Sequence, residues 1–186
     1  MRYPPDQKKN THERIVLAAS HVFREQGYRG TGVDAAMKAA GMTAGGFYAH
    51  FPSKEALFAE SLLAAFRGFR KRLLAGTRAR RGSASGDLIR RYFEVQSRNE
   101  PGSGCPIPTL AADVARSSGA VRETFEQEVQ KMAAVLGEGL EGQKNDTGDT
   151  ALALLALGAG GVLLSRAVKT PAFADRIREA CLRFSE

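Results

Sequence analysis

Apolar residues recur along this chain at helical rather than strand spacing. Ile15, Ala19, Val22 and Phe23 share one helix face, and Gly27 offers a stop. Asn10 and Glu13 form a capping box with Asn in place of Ser or Thr, which predicts where that helix opens. A short second helix is predicted from Val33 to Ala40, started by Thr31 or Gly32 and stopped by Gly41. Thr43 is a natural N-cap for a third, which ends near His50 because Pro52 forbids its continuation. Ser53 then caps a long helix with Ala59, Leu62, Leu63, Phe66, Phe69 and Leu73 along one side.

A polar Gly/Ser break at 76–87 follows, and Leu88, Tyr92 and Val95 mark a fifth helix. The stretch "RNEPGSGCPIP" (98–108) reads as a loop, since its prolines and glycines do not suit a helix interior. A short helix is expected near Thr109–Arg116. Val121, Phe125, Val129, Met132, Leu136 and Leu140 then trace an amphipathic helix, ended by a turn at 141–146. Thr147–Val168 is apolar on nearly all faces, and Thr170 or Pro171 opens a last helix toward Phe184. The expectation is an all-α protein of about nine helices, three of them short and within the first 51 residues.

Charge divides the chain in two. The net charge is +7, but residues 1–81 carry +9 and the remainder −2. A basic front on a mildly acidic body suits an anionic partner for the front alone. Two cysteines, Cys105 and Cys181, make neither a disulfide framework nor a metal cluster. No charged start leads into an apolar signal core, so a cytoplasmic protein is expected. The longest apolar run, Ala151–Ser165, falls short of the roughly 20 residues that a membrane span needs, and reads as a buried helix. No membrane partner, metal or cofactor is expected. His12 and His21 read as solvated helix residues, and "RGFRKR" (67–72) as a solvated helix face.

The two short helices separated by "GMT" fit a helix-turn-helix, whose second helix enters the major groove of duplex DNA. That reading explains the twin glycines in "GMTAGGFYAHFPSKEAL" (41–57). Positions without side chains at the start of a recognition helix let its backbone approach bases and phosphates. Thr43 can touch a phosphate or a base edge, and the helix N-terminus itself attracts phosphate. Tyr48, His50 and Lys54 offer polar tips to phosphate oxygens.

The segment "TGVDAAMKAAGMTAGGFYAHFPSKEALFAESL" resembles the DNA-binding region of the tetracycline-repressor (TetR) family of bacterial transcription regulators, over roughly residues 11–63. The resemblance implies that Thr31 faces phosphate, that Thr43, Ala44, Gly45 and Gly46 form the DNA-facing start of the recognition helix, and that Tyr48, His50 and Lys54 contact the backbone. Phe47 and Phe51 would be core. Family members often carry Lys where this chain has Ala44 and a larger residue at Gly46, so shape readout gains weight here. The implied plan is a helix-turn-helix domain (1–52) joined to a helical effector-binding and dimerisation domain (53–186).

Members of the family are usually homodimers joined by their last two helices, here about 147–168 and 171–184. The all-round apolar character of the first agrees, and Gly158, Gly160 and Gly161 would allow close approach of a partner helix. A dimer calls for a near-palindromic operator. Phe66, Phe69, Tyr92, Phe93 and Phe125 are the candidate lining of a pocket for a small-molecule effector of unknown identity, which would tilt the helix starting at Ser53. Cys105 lies in "SGCPIPTLAADVA", which resembles a "GC-x-x-x-x-L-A" stretch found in part of the family. A thiol at the N-terminal side of the following helix would gain thiolate character, so oxidation or alkylation could be the signal instead.

Enzyme motifs fail on inspection. Gly137 and Gly142 have phosphate-loop spacing, but Gln143-Lys144 follow instead of Gly-Lys. Gly158 and Gly160 lack a third glycine at position 163, and no Gly-x-Ser-x-Gly elbow occurs. The sequence therefore reads as a DNA-binding regulator, most simply a repressor released by an effector. A helical ligand-binding protein without specific DNA binding is the competing reading.

Overall fold

The computed structural model describes residues 5–75, 85–94, 100–138 and 147–185. Among them the helical spacing is realised as eight α-helices and two 3₁₀ segments, with no strand. The helices are α1 (Pro5–Gly30), α2 (Val33–Ala39), α3 (Lys54–Leu74), α4 (Ser85–Glu94), α5 (Pro106–Val114), α6 (Gly119–Gly137), α7 (Thr147–Ala167) and α8 (Pro171–Phe184). The 3₁₀ segments are Ala44–Ala49 and Pro101–Ser103. Val95, Leu140, the turn at 141–146 and most of the break at 76–87 lie outside the described residues; Ser85, the first residue of α4, already belongs to that break.

Two apolar cores share α3. The first gathers Ile15, Ala19 and Phe23 of α1, Met37 of α2, Phe47, Phe51, and Leu57, Phe58 and Leu62 of α3, closed by Leu110, Val114 and Val121. The second gathers Phe66, Phe69 and Leu73 with Tyr92, Phe93, Cys105, Met132, Leu136, Leu155 and Val162. Phe125 packs against both. Ser53 caps α3 as expected: its side chain accepts a 3.1 Å bond from the Ala56 amide, a contact worth about 1 kcal/mol.

Several elements differ from the sequence reading. Helix α1 starts at Pro5, not Asn10, so Asn10 and Glu13 lie inside it. Nothing between them breaks a helix, and proline suits a first turn. Gly27 does interrupt it, at φ 74° and ψ 166°. Helix α5 begins at Pro106, inside the expected loop, because prolines are tolerated where the N–H groups have no helical partner. His12 is not simply solvated: it stacks on Phe51 at 4.3 Å and bonds Glu60 at 2.6 Å. In the 67–72 run, Arg70 pairs with Glu128 and Arg72 donates to the Ser103 carbonyl.

Helix α7 shows two faces. Among the described residues Gly148–Ala167 is the one helix long and apolar enough to cross a membrane by length and composition alone. Ala151, Leu155, Ala159 and Val162 are buried against the body, while Leu152, Leu163 and Leu164 are exposed. Gly158 and Gly161, expected to face a partner helix, point inward instead. A Cβ at Gly158 would lie 3.1 Å from the Tyr92 ring, and one at Gly161 would lie 2.9 Å from Phe93. Large aromatics on α4 take up the space, so these glycines serve intramolecular packing. Gly160 has nothing within 4 Å of a built Cβ.

Candidate nucleic-acid interface

The turn between α2 and the first 3₁₀ segment is tightly bonded. The Gly41 and Met42 amides donate to Lys38 and Met37 carbonyls at 2.9 Å, and Gly41 takes φ 71°, where glycine is favoured. Arg14 of α1 donates to the Ala40 carbonyl at 3.1 Å and holds the turn from behind. The next segment is 3₁₀ rather than α. The Gly45-Gly46 pair disfavours an α-turn, and bonds of the i→i+3 kind run from Gly46 to Thr43 (3.3 Å) and from His50 to Phe47 (2.9 Å).

Phe47 and Phe51 anchor this segment in the first core, at 0% and 1% exposure. The opposite side is open. Tyr48 is 78% exposed, Thr43 and Gly45 are exposed, and a Cβ at Gly45 would meet nothing within 4 Å. Ala44 and Gly46 are half-buried, and a Cβ at Gly46 would lie 3.8 Å from the Met37 side chain. Thr43 occupies the N-cap position, but its side chain makes no capping bond. The segment is thus a rigid backbone edge, pinned by two aromatic rings, that exposes one hydroxyl, one phenol and a side-chain-free position.

His50 closes the segment. It is half-buried, its ring 6.1 Å from that of His12 and 6.3 Å from that of Phe51, and its Nδ1 has no hydrogen-bond partner among the described residues. Burial, then the charges of His12 and Lys8, push its pKa below the ordinary imidazole value. Lys54, the first residue of α3, holds its ammonium 4.3 Å from the centre of the Tyr28 ring. Burial lowers its pKa, and Asp113 opposes that shift. Lys8 and Arg14 were not singled out from the sequence; only the excess positive charge of the first 81 residues hinted at them.

Thr31 does not join this surface. It is completely buried, and its hydroxyl donates to the Gly27 carbonyl at 2.8 Å, at the kink in α1. Its expected phosphate contact is therefore replaced by a structural one.

The body residues are distributed differently from the sequence reading. Phe66, Phe69, Tyr92 and Phe93 are fully or almost fully buried, and Phe125 is half-buried. They pack on one another, with rings 5.5 Å apart for Phe66–Phe125, 5.3 Å for Phe69–Tyr92 and 6.1 Å for Tyr92–Phe93. An open hollow of about 470 Å³ lies elsewhere, lined by Gln130, Ala133, Glu138, Asp149 and Leu152 between α6 and α7. Cys105 does sit at the N-cap of α5, but it is wholly buried, and burial pushes its thiol up to about 11. The Tyr92 hydroxyl, the Ile107 amide and the charges of Arg24 and Arg166 offset that only in part. Thiolate character is suppressed here, contrary to the expectation from its place in the chain.

The profile described as "Bacterial regulatory proteins, tetR family" matches residues 15–61. The HTH-type transcriptional repressor DhaR of Mycobacterium sp. (strain GP1) is 30% identical over 133 residues, spanning 69% of this chain and 67% of that one. The HTH-type transcriptional regulator LmrA of Bacillus subtilis (strain 168) is 29% identical over 166 residues, 86% of this chain and 88% of its own. The fold matches the crystal structure of a TetR-family regulator from Cytophaga hutchinsonii with a TM-score of 0.79 at 19% identity, over 98% of this chain and 96% of the other. It matches reduced E. coli NemR with a TM-score of 0.76 at 21% identity, over 95% of each chain. Profile, relatives and fold converge with the exposed edge at Thr43–Gly46: the chain belongs to the TetR family and is a helix-turn-helix transcriptional regulator.

Proposed function

We propose that this regulator is a homodimeric repressor that grips a near-palindromic duplex with two copies of the 44–49 segment and is released when a small molecule binds the body. The observation that carries the reading is the bare edge at Gly45, pinned from behind by Phe47 and Phe51 and open in front. In it Thr43, Ala44, Gly45 and Gly46 lie against the groove, and Tyr48, His50 and Lys54 hold phosphates. Residues 1–52 form the reading head and 53–186 the effector and dimerisation part, although the head's core borrows the first turns of α3. The protein works in the cytoplasm, by binding rather than catalysis.

The second copy joins through the outward face of α7 and α8. Leu163, Leu164, Phe173 and Phe184 are all more than half exposed there, and Phe184 is 86% exposed. Such a run of apolar side chains suits a four-helix interface. The thiol alternative is not carried forward, because Cys105 is sealed in and held protonated.

The test is selection of bound duplexes from a random pool, followed by salt-dependent binding and sedimentation. We expect a near-palindromic motif, affinity that falls steeply with salt, and a dimer that Leu163→Glu converts to monomers. Recovery of unrelated sequences, or a natural chain that sediments as a monomer while binding DNA, overturns the reading.

A further inference from the structure

The kink in α1 exposes an amide that a distant helix captures. At Gly27 the backbone leaves the helix, and the following amide, Tyr28 N–H, donates to Asp113 Oδ2 of α5 at 2.8 Å. The other Asp113 oxygen meets Arg116 at 3.5 Å. A side chain at Gly27 would be strained at φ 74° and would crowd this contact, since its Cβ would lie 3.1 Å from Asp113 Oδ2. The Thr31 hydroxyl holds the Gly27 carbonyl from the other side.

Captured in this way, the Tyr28 ring is fixed against Phe58 at 4.6 Å and Phe23 at 6.0 Å. Its open face carries the Lys54 ammonium at 4.3 Å. A lysine at an exposed helix start otherwise samples many rotamers. A cation held over a ring is restricted in direction while its N–H groups stay available to an anion.

We propose that Tyr28 and Asp113 are positioning residues for DNA binding: Asp113 sets the Tyr28 backbone, and the Tyr28 ring aims Lys54 at a phosphate. The inference rests on Lys54 being a phosphate contact, as in the proposed function. Because Asp113 rides on α5, which also closes the first core and follows the Cys105 turn, the tie links the body directly to a DNA contact. Movement of α5 is felt at Lys54 without first tilting the whole of α3.

The readout is the slope of log affinity against log salt for a duplex selected with the natural chain, measured with full-length protein. Lys54→Ala should lower the slope by about two in a dimer, one phosphate contact per protomer. Tyr28→Leu should lower it equally, Tyr28→Phe should restore it, and Tyr28→Leu should change nothing further in the Lys54→Ala background. Asp113→Ala should lower the slope while Asp113→Asn, which keeps an acceptor oxygen, should not; this pair leaves the aromatic core untouched if Tyr28→Leu folds poorly. If Lys54→Ala lowers the slope but Tyr28→Leu and Asp113→Ala keep it whole, the positioning role is overturned and the contact stands. If Lys54→Ala itself keeps the slope, the phosphate contact fails and the inference falls with it.

Discussion

A side chain added at Gly45 would meet nothing within 4 Å, whereas one added at Gly161 would lie 2.8 Å from Cys181 Sγ and 2.9 Å from Phe93. The residue type is the same and the reasons are opposite. In the 44–49 segment, glycine leaves space on the outside, open to approach of the backbone. In the body, glycine makes space on the inside, which aromatic rings from α4 have already filled. The polar groups follow the same division. Thr43 and Tyr48 face solvent with hydroxyls to offer, while Glu128 and Cys105 in the body are buried and already engaged. One surface is left open to the outside; the other interior is packed by the chain's own side chains.

The most forceful way to break that contrast is to empty a filled position in the body. Glu128 takes Lys131 at 2.7 Å and pairs with the largely buried Arg70. Glu128→Ala leaves Arg70 without its counter-charge and should cost about 3–5 kcal/mol in denaturant unfolding. The Lys131 partner is exposed and should contribute little. Burial pushes the Glu128 carboxyl up, but Lys131 and Arg70 together outweigh it and hold it below its ordinary value. A depressed carboxyl stabilises the fold above its unfolded pKa of about 4.5 and loses that contribution as pH falls further. Glu128→Gln should flatten the acid limb of the stability curve, and an unchanged limb would mean the pair contributes nothing.

The buried thiol gives the next largest effect, at the other end of the pH scale. With Cys105 raised to about 11 from its ordinary 9.0, the folded state prefers the protonated form. Its contribution is whole below about pH 9 and lost as pH rises toward 11, on the order of 2–3 kcal/mol. The natural chain should therefore lose stability faster than Cys105→Ala over that range. Equal slopes would show the site to be wetter than its packing indicates.

The glycines themselves supply the smaller and sharper tests. Gly161→Ala should cost about 1–3 kcal/mol through overpacking against Phe93 and Cys181. Gly45→Ala should stay within about 0.5 kcal/mol of the natural stability while weakening binding to a selected duplex. Equal melting losses for the two variants would erase the distinction. Full duplex affinity in Gly45→Ala would mean that this edge does not approach DNA.

How far these roles could be read beforehand varies along the chain. Helices α7 and α8 were readable almost to the residue, because Thr147, Pro171 and the apolar run between them are local signals. The Ser53 cap was readable for the same reason. The start of α5 was not, because Pro106 and Pro108 look like loop residues unless they fall in a first turn. The edge at 43–48 was legible as a motif, but its 3₁₀ form and the empty cap at Thr43 were not. Thr31 was placed at phosphate by the family resemblance alone, while here the Gly27 carbonyl supplies a buried acceptor for its hydroxyl.

The order of short-range patterns therefore determined that the described residues are helical, where most helices run, and that the front is basic with a glycine pair at an exposed edge. Those properties depend on neighbours within a turn or two, and sequence spacing reports such neighbours directly. Tertiary packing alone decided which glycines face inward, which arginines are engaged, that Cys105 is sealed in, and that Asp113 reaches across 85 residues to the Tyr28 amide. Burial and electrostatics depend on what lies opposite in space, and no local pattern records which distant helix that will be.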